Sequence, residues 1–221
     1  MPDLPTPAAG RPALAAVAWP VRTARLTIRP ATAADAEPTW AFRRLPEVAR
    51  WITAAPGDAA AYAEHFREPE RLAKTLVIEH DGEVVGDLMI AIEDGWGQAE
   101  VAERVRGVQA ELGWVLHPEH GGQGYATEAV AALVRVCFEE LGLRRVIAQC
   151  FADNESSWRL MERLGMRREQ HTVRESLHRS GRWLDGYGYA QLSEEWAAAQ
   201  SSAESASSPG AGKGPMSGSV S

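Results

Sequence analysis

The chain has 221 residues, 45% of them hydrophobic and 24% charged, with a formal net charge of −7. That length accommodates one domain of about 150 residues with extensions, not two full ones. The acidic balance argues against a general nucleic-acid binder, which needs basic surface against phosphates. Two cysteines, Cys137 and Cys150, are too few for a disulfide scaffold, and neither has a partner at metal-ligand spacing. No metal is therefore expected, and a reducing, cytoplasmic setting fits. No apolar run approaches the roughly 18–20 residues of a membrane span, so no membrane partner is expected.

The two ends read differently from the middle. Residues 1–20 form a Pro/Ala-rich arm, expected to be disordered. Ala16-Val17-Ala18 has the look of a signal-cleavage site, but Asp3 and the prolines at 5, 7 and 12 spoil the lead-in. Residues 201–221 hold eight Ser, four Gly and three Ala and no aromatic residue. Such a segment buries too little apolar surface to offset the entropy of ordering. The folded domain is expected over 21–196, and a disordered Ser/Gly/Ala-rich tail over 197–221.

Residues 25–29 alternate and stop at Pro30, a first strand with Leu26 and Ile28 inward. Residues 35–45 read as a helix around Trp40, with Pro38 in its first turn. Asp58, after Pro56-Gly57, is placed to cap a helix over 59–66. Residues 74–79 and 83–92 are strands joined by the Asp81-Gly82 turn. Residues 93–109 are a polar excursion with a short helix over 99–104, and excursions of that length tend to be functional or mobile. Residues 111–116 are a strand that Pro118 ends.

Next comes the strongest helix of the chain, with Ala126, Ala129, Val130, Leu133, Cys137, Phe138 and Leu141 on one face and Gly142 as its stop. A buried strand over 145–151, a helix over 156–164 and a hairpin of 172–177 with 183–192 complete the domain. The order β-α-α-β-β-β-α-β-α-β-β puts a parallel pair among antiparallel hairpins. The fold class is a mixed α/β sheet.

Trp114-Val-Leu-His-Pro-Glu-His-Gly-Gly-Gln-Gly-Tyr-Ala-Thr-Glu128 carries the chemistry. A strand ends, glycines 121, 122 and 124 follow, and a long helix starts at once. Glycines let the backbone approach a ligand, and the first helical N–H groups are unpaired at the positive end of the dipole. Together they suit a pyrophosphate. No Lys-Ser/Thr follows, so this is not a P-loop. Gly-x-Gly-x-x-Gly is absent, so it is not the dinucleotide fingerprint.

The stretch Gly121-Gly122-Gln123-Gly124-Tyr125-Ala126 resembles motif A of the GNAT superfamily of acetyl-CoA-dependent N-acetyltransferases, whose pattern is Arg/Gln-x-x-Gly-x-Gly/Ala. Gly121 stands where Arg or Gln is expected, which removes one side-chain contact to phosphate and leaves the backbone contacts. Asn154-Glu-Ser-Ser157, followed by Leu160-Met-Glu-Arg-Leu-Gly-Met166, is similar to the family's second signature. The resemblance spans roughly residues 25–192. His117-Pro-Glu-His, Gly124-Tyr-Ala-Thr-Glu128 and Gly181-Arg-Trp-Leu-Asp185 look like the RimJ/RimL-type branch, which acetylates protein N-terminal amines and also contains enzymes for other amines.

The resemblance implies a mostly antiparallel GNAT-type sheet with a central, splayed parallel pair flanked by helices. Pantetheine would slot into the splay against the backbone of Val115, Leu116 and His117, and a main-chain N–H there would polarise the acetyl carbonyl. Asn154 would contact the pantetheine or diphosphate, or serve as an Asx cap. Ser157 is a candidate acid for the leaving thiolate and equally a helix-cap serine. Many members carry a Tyr where this chain has Met161, which cannot donate a proton. Glu111 is the candidate general base through water, with His117 and His120 as rivals. Of the tryptophans, Trp114, Trp158 and Trp183 fall beside this site, Trp40 and Trp51 beside the acceptor groove, and all are read as walls.

The expected activity is acetyl transfer from acetyl-CoA to a primary amine, on a protein N-terminus or a small molecule such as an aminoglycoside, by a monomer or homodimer. A module that holds an acyl-CoA without turnover is the reading from another class.

Overall fold

The computed structural model describes residues 13–55 and 57–207. In chain order these form β1 (Val21–Arg22), β2 (Thr27–Pro30), α1 (Ala36–Arg43), α2 (Pro46–Ala49), α3 (Ala59–Phe66), α4 (Pro69–Leu72), β3 (Thr75–His80), β4 (Glu83–Glu93), β5 (Gln109–Leu116), α5 (Tyr125–Arg135), β6 (Arg145–Phe151), α6 (Glu155–Arg163), β7 (Arg167–Leu177), β8 (Trp183–Leu192) and α7 (Ser193–Ser207). The strands make one eight-stranded sheet in the order β1-β2-β3-β4-β5-β6-β8-β7.

Every neighbouring pair is antiparallel except β5 and β6. That parallel pair is short, running from Gln109↔Arg145 through Ala110↔Val146 to Glu111↔Ile147. Beyond it β5 pairs only with β4, through Leu116↔Gly86, and β6 pairs only with β8, through Phe151↔Gly186. The two central strands diverge, and the β6-facing edge of residues 112–116 has no ladder partner among the described residues. A mixed, mostly antiparallel sheet with a splayed parallel pair is thus the architecture.

The main core lies between one sheet face and α5 and α6. Ile28, Leu76, Ile78, Leu88, Ile90, Leu112 and Val146 meet Ala129, Val130 and Leu133 of α5 and Leu160 and Met161 of α6, all nearly water-free. Each large aliphatic side chain buried there contributes about 1.5–3 kcal/mol. A second, smaller cluster of Ala36, Tyr62 and Phe66 joins α1 to α3. Asp58 caps α3, its carboxylate accepting from the Ala60 and Ala61 amides at 2.9 Å.

The differences from the sequence reading have physical causes. The arm expected to be disordered over 1–20 is folded from residue 13. Leu14–Ala16 make a 3-10 turn, the Trp19 indole donates to the Leu14 carbonyl at 2.8 Å, and Val17 is buried in the core. An Ala-rich stretch hides a single anchoring Val from composition arguments. At the other end α7 runs to Ser207, past the expected boundary at 196. Alanines and glutamates there favour helix, and Trp196 packs on Phe138 with ring centroids 5.7 Å apart. Residues 1–12 and 208–221, also assigned to the arm and tail, lie outside the described residues.

The strand expected over 172–177 begins earlier, at Arg167. β7 is an edge strand with mostly exposed residues, so no apolar alternation marks its first half. α2 and α4 are single turns, each with Pro at its first position, too short for periodicity to register. The long helix widens after Arg135 into a π-turn over Val136–Glu140 that keeps Cys137 in the core.

Candidate active site

The glycine loop is built by backbone geometry. β5 ends at Leu116, and the His117 amide donates to the Val85 carbonyl at 2.8 Å. Pro118–His120 make one 3-10 turn, capped by the His117 ring nitrogen Nδ1, which accepts from the Glu119 amide at 3.2 Å. Gly122 and Gly124 then adopt φ of +74° and +81°, the left-handed region that favours glycine. Gly124 is the N-cap of α5 and bears no capping side chain, so the first N–H groups of that helix remain available.

Two hollows meet at the splay. One, of about 640 Å³, runs from Gly121, Gly122 and Gly124 along Val115 and Leu116. The other, of about 480 Å³, opens on the α3–α4 side and is walled by Arg43, Arg71, Lys74 and Asp87. Both share Trp51, Trp114, Val115, Asn154 and Ser157 as walls. A larger hollow, about 720 Å³, lies by Arg135, Trp196 and Gln200, includes none of the loop glycines and shares Arg163 with the loop-side one. Size alone therefore does not mark the site; the helix terminus and the open strand edge do.

Most of the residues singled out from sequence converge there. Val115, Leu116, His117, Gly121, Gly122, Gly124, Tyr125, Ala126, Asn154 and Ser157 all line the loop-side hollow. Gln123 is exposed outside it, and its carbonyl accepts from the Arg25 guanidinium at 2.9 Å. Two of the convergent residues are already engaged. The His117 N–H belongs to β4, so it is not an open-edge donor. The Tyr125 ring is buried and its hydroxyl sits 2.9 Å from His80 Nε2, under the Arg25 guanidinium.

The Asn154 side chain accepts no bond from the backbone amides of the first turn of α6; its Oδ1 accepts instead from the Ser156 hydroxyl at 2.9 Å. An Asx cap is thus not its role, and its amide N–H groups remain for a ligand. Ser157 lies inside α6, not at its cap. Burial pushes the neighbouring-strand Cys150 thiol up to about 11, against a smaller lowering from Ser157, so it stays protonated. Met161 is fully buried in the core.

Glu111 is the last rung of the β5–β6 pairing. By strand alternation it shares a face with Gly113 and Val115, but it lies outside the walls of both hollows. Burial, and then the nearby Glu93 carboxylate, raise its carboxyl above the ordinary value. His120 is also outside both walls and packs against His80 and His117.

Several residues went unread in the sequence. Arg163 and Thr127 line the loop-side hollow, the guanidinium 3.4 Å from the hydroxyl, and supply a cation where Gly121 supplies none. On the other side Arg43 grips Asp87 by two bonds of 2.6 and 2.5 Å. Burial works against the Arg43 charge, and the Asp87 carboxylate outweighs it and raises the guanidinium further. The legible signal was Asp87 itself, an acid inside the buried run Val85–Leu88. Trp51 and Trp114 are walls as read, whereas Trp40 packs on Tyr62 at 5.5 Å and Trp183 is exposed. Among the described residues no cluster of His, Cys, Asp and Glu is arranged to hold a metal, and no helix is long and apolar enough to cross a membrane.

Comparison with known proteins decides the family. The acetyltransferase (GNAT) domain family matches residues 25–167. The chain belongs to this family. It is a GNAT acetyltransferase. "Uncharacterized N-acetyltransferase YnaD" of Bacillus subtilis (strain 168) is 42% identical over 86 residues, 39% of this chain and 50% of its own length. The chain thus spans half of that relative. A GNAT-family acetyltransferase structure from Bacillus anthracis superposes with a TM-score of 0.67 at 28% identity, covering 79% of this chain and 99% of its own. Mycobacterium smegmatis RimJ, solved with CoA-disulfide, shares the fold with a TM-score of 0.61 at 23% identity over 79% of this chain and 89% of its own.

Proposed function

We propose that this acetyltransferase moves an acetyl group from acetyl-CoA to a primary amine by direct attack in a ternary complex. The donor occupies the loop-side hollow and the amine the other. The observation that carries this is the pair of hollows with common walls at the splay. Such a junction holds two reactants in line, and positioning of that kind contributes on the order of 7–11 kcal/mol to lowering a bimolecular barrier.

In this reading the glycine-loop amides and Arg163 hold the diphosphate, while the open edge of residues 112–116 and Asn154 hold pantetheine. The amine nitrogen bonds to the thioester carbonyl carbon, the carbon–sulfur bond breaks, and sulfur leaves with the electron pair. An N–H of the open edge stabilises the oxyanion, a contact worth about 2.7–4 kcal/mol in comparable sites. Glu111 receives the amine proton through water, and burial and the Glu93 carboxylate raise its pKa in the direction that strengthens a base. Ser157 supplies a proton to the departing thiolate. The acceptor is a protein N-terminal amine or a small amine, in a reducing cytoplasmic setting supported by the two free cysteines.

Coenzyme A release, followed while donor and amine concentrations are varied, tests this reading. Intersecting double-reciprocal lines are expected for a ternary complex. Parallel lines contradict direct attack, and tight coenzyme A binding without amine-dependent release supports a non-catalytic module instead.

A further inference from the structure

We infer that the amine this site acetylates carries an anionic group, a carboxylate or its equivalent, close to the reacting nitrogen. The inference rests on the acetyl transfer proposed above and concerns what fills the hollow on the α3–α4 side. The charged residues on its wall are Arg43, His65, Arg71, Lys74 and Asp87. The acid among them is spent: Asp87 is almost wholly buried and held by Arg43. No carboxylate pairs with Arg71 or Lys74 among the described residues.

Arg71 is placed with care for a residue that has no partner. It follows Pro69 in the single turn α4, and its guanidinium lies 5.8 and 5.7 Å from the Tyr62 and Phe66 ring centroids. Its Nε is fully buried and makes no hydrogen bond. A buried charged-group donor without an acceptor costs free energy. The guanidinium lines the hollow, and its planar fork matches a carboxylate in particular. Its own backbone is fixed by the Thr75 hydroxyl, which donates to the Arg71 carbonyl at 2.8 Å. Lys74 stands between α4 and β3 on the same wall.

The overall charge of −7 makes this local cationic wall more informative, since it runs against the balance of the chain. A polyamine or aminoglycoside would set further cations beside Arg71 and Lys74, and like charges close together repel. An acceptor with one amine and one anionic group fits instead. The same wall disfavours the ammonium form of the bound amine, and the neutral amine is the form that attacks.

The test compares matched acceptors by coenzyme A release: L-aspartate against L-asparaginamide, the peptide amide Ser-Glu-Ala-Ala against Ser-Gln-Ala-Ala, and spermidine. The expected result is a kcat/KM at least about 10-fold higher for the acidic member of one pair. The pair that shows it tells a free amino acid from an acidic peptide terminus. Arg71→Met keeps the stem that packs on Tyr62 and Phe66 and removes the charge, and Lys74→Met does the same at the rim. Each is expected to bring the acidic-to-neutral ratio to within about threefold, with coenzyme A affinity reporting that the variant is folded.

Equal rates within both pairs, a preference for spermidine, or a wild-type ratio that survives both substitutions overturns the inference. Turnover of spermidine alone leaves the proposed acetyl transfer standing. No release with any amine overturns both.

Discussion

The two hollows that meet at the splay are made in opposite ways. The loop-side hollow is assembled from short contiguous words: the glycine loop and α5 start within a few residues of the end of β5, and Asn154 and Ser157 open α6. The acceptor-side hollow draws Arg43 from α1, Trp51 from the turn after α2, Arg71 from α4, Lys74 and Thr75 from the start of β3, and Asp87 from β4. Local backbone rules write the first, and only the tertiary fold brings the second together. The proposed donor side is therefore the generic half of the molecule and the proposed acceptor side the particular half.

Predictions that break or sharpen this contrast differ in size. The largest concerns Glu111, the proposed base, which belongs to neither hollow wall. Glu111→Gln keeps the shape and removes the proton acceptor, so turnover is expected to fall about 10²–10⁴-fold at neutral pH, with coenzyme A affinity unchanged. The raised carboxyl fixes the sign of the pH profile. A base works when ionised, so the wild-type rate is expected to fall as pH drops through a pKa raised above the ordinary value for Glu. The variant lacks that limb, and its deficit shrinks at high pH as more amine becomes neutral unaided. Stopped-flow or steady-state pH profiles of both proteins check this. An indifferent variant moves the base to His117 or a water relay.

Breaking the pair that organises the acceptor side comes next. Asp87→Asn strands a buried Arg43, and removing one partner of a buried ion pair costs about 3–5 kcal/mol. Denaturant unfolding is expected to show that loss, whereas Trp183→Ala at the exposed start of β8 changes stability by less than about 0.5 kcal/mol. Equal effects at the two sites contradict the placement of the pair.

On the donor side, Gly124→Glu puts a negative charge at the helix terminus and a side chain on φ +81°. Coenzyme A binding is expected to weaken by at least about 2–3 kcal/mol, the scale of an uncompensated charge in a site. Calorimetry on the folded variant reads it directly. Unchanged affinity removes the loop from the site.

The smallest effect belongs to the frame shared by both sides. Asp35 accepts from Arg29 twice at 2.8 Å and from the Thr32 amide at 2.7 Å. Burial pushes its carboxyl up, but these bonds win and hold it below the ordinary value. A depressed native pKa means the stabilisation is complete above the unfolded value of about 3.9 and is lost as pH falls through the native one. Asp35→Asn is expected to cost about 1–3 kcal/mol at neutral pH and to flatten the acid limb of stability below about pH 4.

What the sequence disclosed follows the same division. β6 and α3 are legible to the residue, because alternation, an Asp cap and a strong apolar face are local. The splay is legible only through the family resemblance, since no residue of β5 says where its pairing with β6 stops. Arg163 sits inside a stretch recognised for its Leu-Gly-Met ending, yet its place beside the loop depends on how α6 packs against α5. Arg71 and Lys74 look like ordinary surface cations until α4 turns them onto one wall. Val17 and α7 were missed because composition measures averages, and one Val or one Trp docks a segment that is otherwise Ala and Ser.

Backbone hydrogen exchange with and without coenzyme A tests the central claim, that the glycine loop and the splayed strand form the donor site. Added coenzyme A is expected to slow exchange at the amides of Gly122 to Ala126 and along residues 112–116, and to leave the hollow by Arg135 and Trp196 unchanged. Protection at that larger hollow, with the loop and the open edge of β5 unaffected, contradicts the account.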